Sequence, residues 1–365
     1  MKLRCDRRAL LEVASLVGSV SANRTTRPVL QHMLLVAKDG ELELMATDLE
    51  LAARNSIETI ECEEEGSITL PASRFLSILR ELRGETVDLS TDGLVALIRG
   101  NSSQFHLSGE HPDDFPDVPS GEGETFFEIP APLFRDLAEK TEFAASRELG
   151  RYAINGLLIE FEGTTVRFVA TDGRRLAIAE QALDVEVTVD AREILPLKGV
   201  TAFLKSIGPE VEMVGLCLSG RKTLLRGGKA LFAATSIEAD FPDYRMVLDH
   251  ARGEVVQLER DEFFSCVRQA AVMAGEDVRS VTLDFEEGAL VVSSSVEGLG
   301  DARSEMALDY AGPKQKVGFN PDFLLDFAKL KLPEQLPFSF ADSAVSAMFM
   351  PSDGFRYVVM PVNTS

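Results

Sequence analysis

Apolar and polar positions along the chain alternate with two periods, and the periods change in a fixed order. Stretches such as "LELMATD" and "VRFVATD" alternate every second residue, as half-buried antiparallel strands do. Elsewhere apolar residues return at helical spacing, in Phe75/Leu79/Leu82, Val200/Phe203/Ile207 and Phe323/Phe327/Leu330. The segments holding these triads begin at Pro71, Pro196 and Asn320, spaced by 125 and 124 positions. Each follows a short strand, "GSITL", "REIL" or "QKVGF". Proline or Asn-Pro suits a helix start, where the missing N–H has no helical partner to lose. A second set of helical segments opens each third: "DRRALLEVASLV", "PAPLFRDLAEKTEFAA" and "ERDEFFSCVRQAAVMA". A strand pair follows each, with Lys-Asp-Gly, Glu-Gly-Thr or Glu-Glu-Gly at the turn. Three copies in one order constitute a repeat and predict an α+β chain of three similar domains. Each domain should hold two helices and many short strands. The polar, Gly-containing segments 119–124 and 248–254 place the divisions at 1–122, 123–250 and 251–365.

Composition narrows the function. No apolar run reaches the ~18 residues of a membrane helix. The first residues, "MKLRCDRRALLEVASLVGSV", are interrupted by Asp6, Arg7, Arg8 and Glu12. Leu10, Val13, Val17 and Val20 there fit one helical face, so the segment reads as mature structure rather than a signal peptide. Cys5, Cys62, Cys217 and Cys266 are scattered without CxxC spacing, which suits reduced thiols of a cytoplasmic protein. His32, His106, His111 and His250 form no metal-ligand spacing. There is no GxSxG, Walker A or zinc motif. The acidic runs Asp113–Asp114 and Glu63–Glu64–Glu65 read as solvated loops, and "GRKTLLRGGK" (220–229) as a turn between strands. No catalytic residue, cofactor or metal is expected.

One corner stands out. "RFVATDGRRLAIAE" (167–180) folds two apolar runs around an acid, a glycine and two arginines. Such a cluster could grip a phosphate, build a catalytic site or close a hairpin. Ala46-Thr47-Asp48 repeats the corner in the first third, followed by Leu49-Glu50-Leu51 rather than Gly173-Arg174-Arg175-Leu176. The third copy has Ser293-Ser294-Ser295 instead. The shared part predicts fold and the unshared part predicts a site.

The pieces "TDLE", "RYAINGLLIE", "ATDGRRLA", "FPDYRMVL", "GFNPDFLLD" and "YVVMP", in order along the whole chain, resemble the bacterial DNA polymerase III beta subunit family of processivity sliding clamps. The resemblance implies the DNA-clamp fold, with two chains closed head-to-tail as a homodimeric ring around double-stranded DNA. It implies the replicative polymerase catalytic subunit, other replication and repair proteins and an ATP-driven clamp loader as partners. By the family match, Arg24, Arg74, Arg80, Arg151, Tyr152 and Lys198 would lie near DNA. A partner peptide with apolar and aromatic anchors would enter a pocket formed by Ile154, Thr171, Gly173, Arg174, Arg175, Leu176, Pro242, Met246, Val247, Ala344, Val358, Met360 and Pro361. Ile78, Leu82, Phe105 and Leu107 would meet Val272 and Met273 of the other chain. The competing reading is a repeat scaffold that binds partner peptides but no DNA.

Charge is consistent with such a ring. The chain carries 37 basic and 59 acidic side chains, a net charge of −22. The later helical segments of the three thirds nevertheless hold seven bases (Arg74, Arg80, Arg83, Lys198, Lys205, Lys329, Lys331) against three acids (Glu81, Asp322, Asp326). The acidity therefore lies outside those segments. About 20 Å of duplex carries ~12 phosphate charges, far more than these helices neutralise, which predicts loose and salt-sensitive contact.

Overall fold

The computed structural model describes residues 1–22, 24–148, 152–183, 191–251, 253–275, 279–341 and 345–362, with the backbone alone at residue 152. The first third contains β1 (Lys2–Asp6), α1 (Arg7–Gly18), β2 (His32–Lys38), β3 (Glu41–Thr47), β4 (Leu51–Glu58), β5 (Glu61–Glu64), β6 (Gly66–Pro71), α2 (Ala72–Glu81), β7 (Thr86–Asp92), β8 (Val95–Gly100) and β9 (Ser103–Ser108). The second contains β10 (Phe127–Pro130), α3 (Ala131–Glu139), β11 (Gly156–Glu162), β12 (Thr165–Thr171), β13 (Arg175–Ala182), β14 (Ala191–Pro196), α4 (Leu197–Leu204), β15 (Met213–Leu218), β16 (Lys222–Gly227) and β17 (Ala230–Thr235). A short α5 (Tyr244–His250) precedes the third, which runs β18 (Glu254–Glu259), α6 (Arg260–Ala271), β19 (Val281–Glu286), β20 (Ala289–Val296), β21 (Gly300–Ala307), β22 (Gln315–Phe319), α7 (Pro321–Phe327), β23 (Gln335–Phe340), β24 (Ala347–Ser352) and β25 (Phe355–Val359). The threefold repeat of helices and strands is therefore present, with β5 and α5 as additions.

The chain divides into two compact units, Met1–Arg135 with Leu195–Ile237, and Asp136–Ile194 with Glu238–Ser365. Within the first unit an eight-stranded sheet has the order β10-β15-β16-β17-β4-β3-β2-β6. Strands from two successive thirds meet where Leu231 faces Arg54 and Ala234 faces Leu51 on antiparallel β17 and β4. A five-stranded sheet, β5-β1-β7-β8-β9, stops at β9. The second unit has the corresponding eight-stranded sheet, β14-β11-β12-β13-β25-β24-β23-β18, joined where Arg175 faces Val359 and Leu176 faces Val358. Its four-stranded sheet, β21-β20-β19-β22, stops at β21.

Helices bury one stripe each, as their periodicity predicts. Leu10, Val13, Ala14 and Val17 of α1 are buried, as are Phe75 and Leu79 of α2 and Val200 and Phe203 of α4. The core of the second unit is aromatic, with Phe327 stacked on Tyr357 at 4.7 Å and Phe338 against Phe349 at 4.6 Å between ring centroids. Such rings each bury a large apolar area and add edge and stacking terms.

Several expected boundaries differ for local reasons. The helix expected from "PAPLFRDLAEKTEFAA" (130–145) ends at Glu139, where the buried Thr141 hydroxyl donates to the Leu137 carbonyl at 2.7 Å and so satisfies one of the last carbonyls. In α7 the buried stripe is Pro321, Leu324 and Phe327; Phe323 is half-buried, as is Leu330, which lies beyond the end of the helix. The segment 220–229 is not a turn: Lys222–Gly227 is β16, inside the eight-stranded sheet, with Thr223, Leu224 and Leu225 buried. Residues 248–250, expected in a boundary loop, finish α5, which Asp243 caps through the Arg245 N–H. Among the described residues no helix is long and apolar enough to cross a membrane.

The repeated corner is one structure made twice. Thr47 Oγ1 donates to the Leu51 carbonyl at 2.7 Å, and Thr171 Oγ1 to the Arg175 carbonyl at 2.6 Å. Asp48 Oδ1 accepts from the N–H groups of Glu50 and Leu51, and Asp172 Oδ1 from those of Arg174 and Arg175. Thr235 N–H reaches the Glu50 carbonyl as Met360 N–H reaches that of Arg174. Both corners need a left-handed residue after the aspartate, Gly173 at φ 86° and Leu49 at φ 79°. A side chain in that region costs about 1–2 kcal/mol. Gly173→Ala should therefore lower stability by roughly 1 kcal/mol, whereas Leu49→Gly should lower it not at all. Urea midpoints at constant slope check both; equal losses would refute the shared geometry.

Candidate functional site

The second corner sits at the rim of a hollow of about 960 Å³ within the second unit. Its apolar lining is Phe143, Phe323, Leu330 and Phe355, and Arg174 and Arg175 project from the corner. Arg175 is only 10% exposed. Its Nε donates to Asp172 Oδ2 at 3.0 Å and its Nη1 to Asp326 Oδ2 at 2.8 Å. Its guanidinium also lies over the Phe323 ring, 4.7 Å from the centroid, and within 5.6 Å of the Phe143 centroid. A planar cation fits this combination of carboxylates and ring faces. Arg175 thus braces the corner against α7, while Arg174 remains exposed at the rim.

Asp326 completes the brace. Burial would raise its carboxyl pKa, but hydrogen bonds from Lys329 and Arg175 outweigh that and hold it below the usual 3.8. Tyr357, buried beneath, donates its hydroxyl to the Phe323 carbonyl at 2.9 Å, and burial pushes its pKa well up. The sequence places neither Phe323 nor Asp326 in a site: Phe323 counts with the apolar face of its helix and Asp326 with that helix's acids. Both belong to α7, whose apolar spacing reads as an ordinary core face.

The other expected pocket residues fall into three groups. Thr171, Leu176, Val358 and Ile154 are buried, and the β13–β25 ladder sets Leu176 opposite Val358. Gly173 and Pro242 are exposed, as are Met246 at 58% and Met360 at 40%; Val247 and Pro361 are half-buried. Exposed methionines offer an adaptable apolar surface. Met246 and Val247 ride on α5, which Tyr244 fastens to the same sheet through Glu160. Ala344 lies outside the described residues.

Of the expected DNA neighbours, Arg24, Arg74 and Arg80 are exposed and make no ion pair among the described residues. Lys198 differs, since its Nζ lies 2.6 Å from Asp48 Oδ2 in the first corner. Arg151 lies outside the described residues, and of Tyr152 only the backbone is described, in a short 3-10 turn. Of the expected contacts between chains, Leu82 is buried in its own unit, and Ile78, Phe105 and Leu107 are half-buried. Val272 is 78% exposed, with Met273 half-buried beside it. Leu299, exposed at the turn before β21, extends this apolar end, since the next residue, Gly300, lies against the Met273 side chain. Among the described residues no cluster of three His, Cys, Asp or Glu side chains could hold a metal.

Comparison with known proteins agrees along the whole chain. Family profiles of the DNA polymerase III beta subunit match in order: the N-terminal domain over residues 1–119, the central domain over 128–243 and the C-terminal domain over 245–363. The beta sliding clamp of Pseudomonas putida is 31% identical over 99% of this chain and 100% of its own. That of Chlamydia muridarum is 29% identical over 99% of both chains. Among solved structures, the Pseudomonas aeruginosa sliding clamp bound to griselimycin superposes with a TM-score of 0.94 at 31% identity, covering 100% of this chain and 99% of that one. The Bartonella birtlesii clamp bound to griselimycin gives 0.94 at 29% identity, covering both chains completely.

The brace makes a pH prediction. A carboxylate held below its unfolded pKa stabilises the fold above that value, and loses the contribution as pH falls through the native pKa. Asp326→Asn should therefore be less stable than the parent at pH 7, with the gap closing as pH falls below about 4. Thermal melts at stepped pH check this; a gap that stays constant down to pH 2 would rule it out.

Proposed function

The chain belongs to the DNA polymerase III beta subunit family of sliding clamps, and from that premise we propose that two copies close head-to-tail into a ring around duplex DNA. The observation that supports the ring best is the pair of open half-sheets. In each unit one eight-stranded sheet is built from four strands of one third and four of the next. The same two halves also occur unjoined, β1-β7-β8-β9 in the first unit and β21-β20-β19-β22 in the second. Edge strands leave backbone groups unpaired and invite another strand. Pairing β9 of one copy with β21 of the other would complete a third junction of the same kind. Phe105 and Leu107 on β9 would then meet Val272, Met273 and Leu299 near β21. Like junctions repeated head-to-tail close a ring when the rotation per step divides the circle.

The domains of that ring are 1–122, 123–250 and 251–365. Arg24, Arg74, Arg80, Arg151, Tyr152 and Lys198 supply loose contacts to the encircled phosphates. Topology rather than affinity retains the DNA, so weak, partly neutralised cations such as Lys198 suit sliding. The protein catalyses nothing itself; in the cytoplasm it tethers the replicative polymerase and other DNA enzymes. An ATP-driven loader opens it. Partner peptides bind along the corner Thr171–Leu176, with Ile154, Pro242, Met246, Val247, Ala344, Val358, Met360 and Pro361. Phe323 and the hollow beside it extend that surface.

Loaded on nicked circular DNA in moderate salt, the protein should remain bound and run off once the circle is linearised. Gel filtration of cross-linked and free complexes reads this. Equal loss from circular and linear DNA would leave the DNA-free scaffold as the better reading. For the peptide surface, Met246→Glu combined with Met360→Glu should weaken binding of a synthetic peptide carrying leucine and phenylalanine anchors by more than about tenfold. Both side chains are exposed, so the melting temperature should stay unchanged; unchanged affinity in calorimetry would refute the placement.

A further inference from the structure

The seven-residue α5 buries one side chain, that of Tyr244. A helix so short has little stability of its own in water, so its position depends on what holds that residue. The Tyr244 hydroxyl donates to Glu160 Oε2 on β11. Glu160 is itself buried, and two arginines balance its charge: Arg167 Nη1 on β12 at 3.2 Å and Arg192 Nε on β14 at 3.2 Å. Arg167 Nη1 also lies 3.4 Å from the Tyr244 hydroxyl, and its Nε donates to Glu180 on β13 at 2.7 Å. An outer clasp adds Arg245 Nη2 to Glu162 at 3.2 Å. The anchor of α5 is therefore built on the β11–β12–β13 ladder, and the hairpin joining β12 to β13 is the corner Thr171–Arg175. Met246, two residues beyond Tyr244, is left exposed.

We propose that Tyr244 is a positioning residue for partner recognition: its hydroxyl, held by Glu160, sets α5 relative to the corner so that Met246 and Val247 form one wall of the peptide site. The inference rests on the peptide-binding reading above. The buried ring supplies stability, and the hydroxyl supplies direction, because a hydrogen bond to a charged acceptor is short and angle-dependent. Removing the hydroxyl leaves Glu160 still paired with Arg167 and Arg192, so no unbalanced charge is buried.

The test is a double-mutant cycle in the full chain with Tyr244→Phe, Met246→Ala and the pair, titrated with a synthetic six-residue peptide carrying leucine and phenylalanine. Tyr244→Phe should weaken binding about five- to tenfold, with a melting temperature within ~2 °C of the parent. The pair should bind no more weakly than the weaker single variant, because both act through one wall. A merely structural tyrosine would shift the melting temperature and give additive losses. Additive losses, or parent-like affinity of Tyr244→Phe, overturn the positioning role while leaving peptide binding itself intact. Absence of peptide binding by the parent overturns both.

Discussion

A strand with a neighbour on one side only leaves a row of N–H and C=O groups to water, and this chain twice removes that exposure by joining one third to the next. β17 pairs with β4 in the first unit and β13 with β25 in the second, each extending four strands into eight. Backbone pairing of this kind is insensitive to side-chain identity, which lets thirds of dissimilar sequence share one junction. It also fixes the register from which the other features hang. The corners lie where β3 turns into β4 and β12 into β13, so each corner is held against a strand of the following third. The half-sheets ending at β9 and β21 lack that extension, and the proposed ring follows from supplying it.

The two corners show how one backbone device can carry different chemistry. Thr and Asp side chains close both turns with the same hydrogen bonds. After that the partners diverge: Asp48 accepts Lys198, whereas Asp172 accepts Arg175, whose other end reaches Asp326. Burying a guanidinium between two carboxylates and two rings is favourable only when every partner is present. That dependence ties the corner to α7 and keeps the rim of the neighbouring hollow in shape. Arg174, which lines that hollow, stays exposed at its rim, as Met246 and Met360 do elsewhere in the same unit.

Charge is arranged with similar economy. Many of the acids are engaged in exposed ion pairs along sheet surfaces, such as Arg4 with Asp88 and Lys229 with Glu41. Pairs of this type contribute little stability, commonly below about 1 kcal/mol. Their effect is on the field: a net charge of −22 disfavours contact with nucleic acid, while α2 presents Arg74 and Arg80 exposed and without an ion pair among the described residues. Contacts of this strength suit the proposed ring, which would hold DNA by topology rather than affinity.

The hydrophobic periodicity alone determined the threefold repeat, the order of helices and strands within each third, and the core faces of α1, α2 and α4. These are local properties, set by spacing of 2 or 3.6 residues along the chain. The shared Thr-Asp corner was legible for the same reason, because its hydrogen bonds span only a few residues. Tertiary structure decided the rest. Phe323 reads as core from its spacing, yet only the packing of α7 leaves it half-buried at the hollow. Arg175 reads as a ligand-binding arginine, yet Asp326, 151 positions away, claims it. Tyr244 gives no local sign that Glu160, 84 positions earlier, fastens it. Which edges are left open depends likewise on pairing between distant strands. Partners so far apart leave no periodic trace in sequence, because the chain between them can vary without altering the contact.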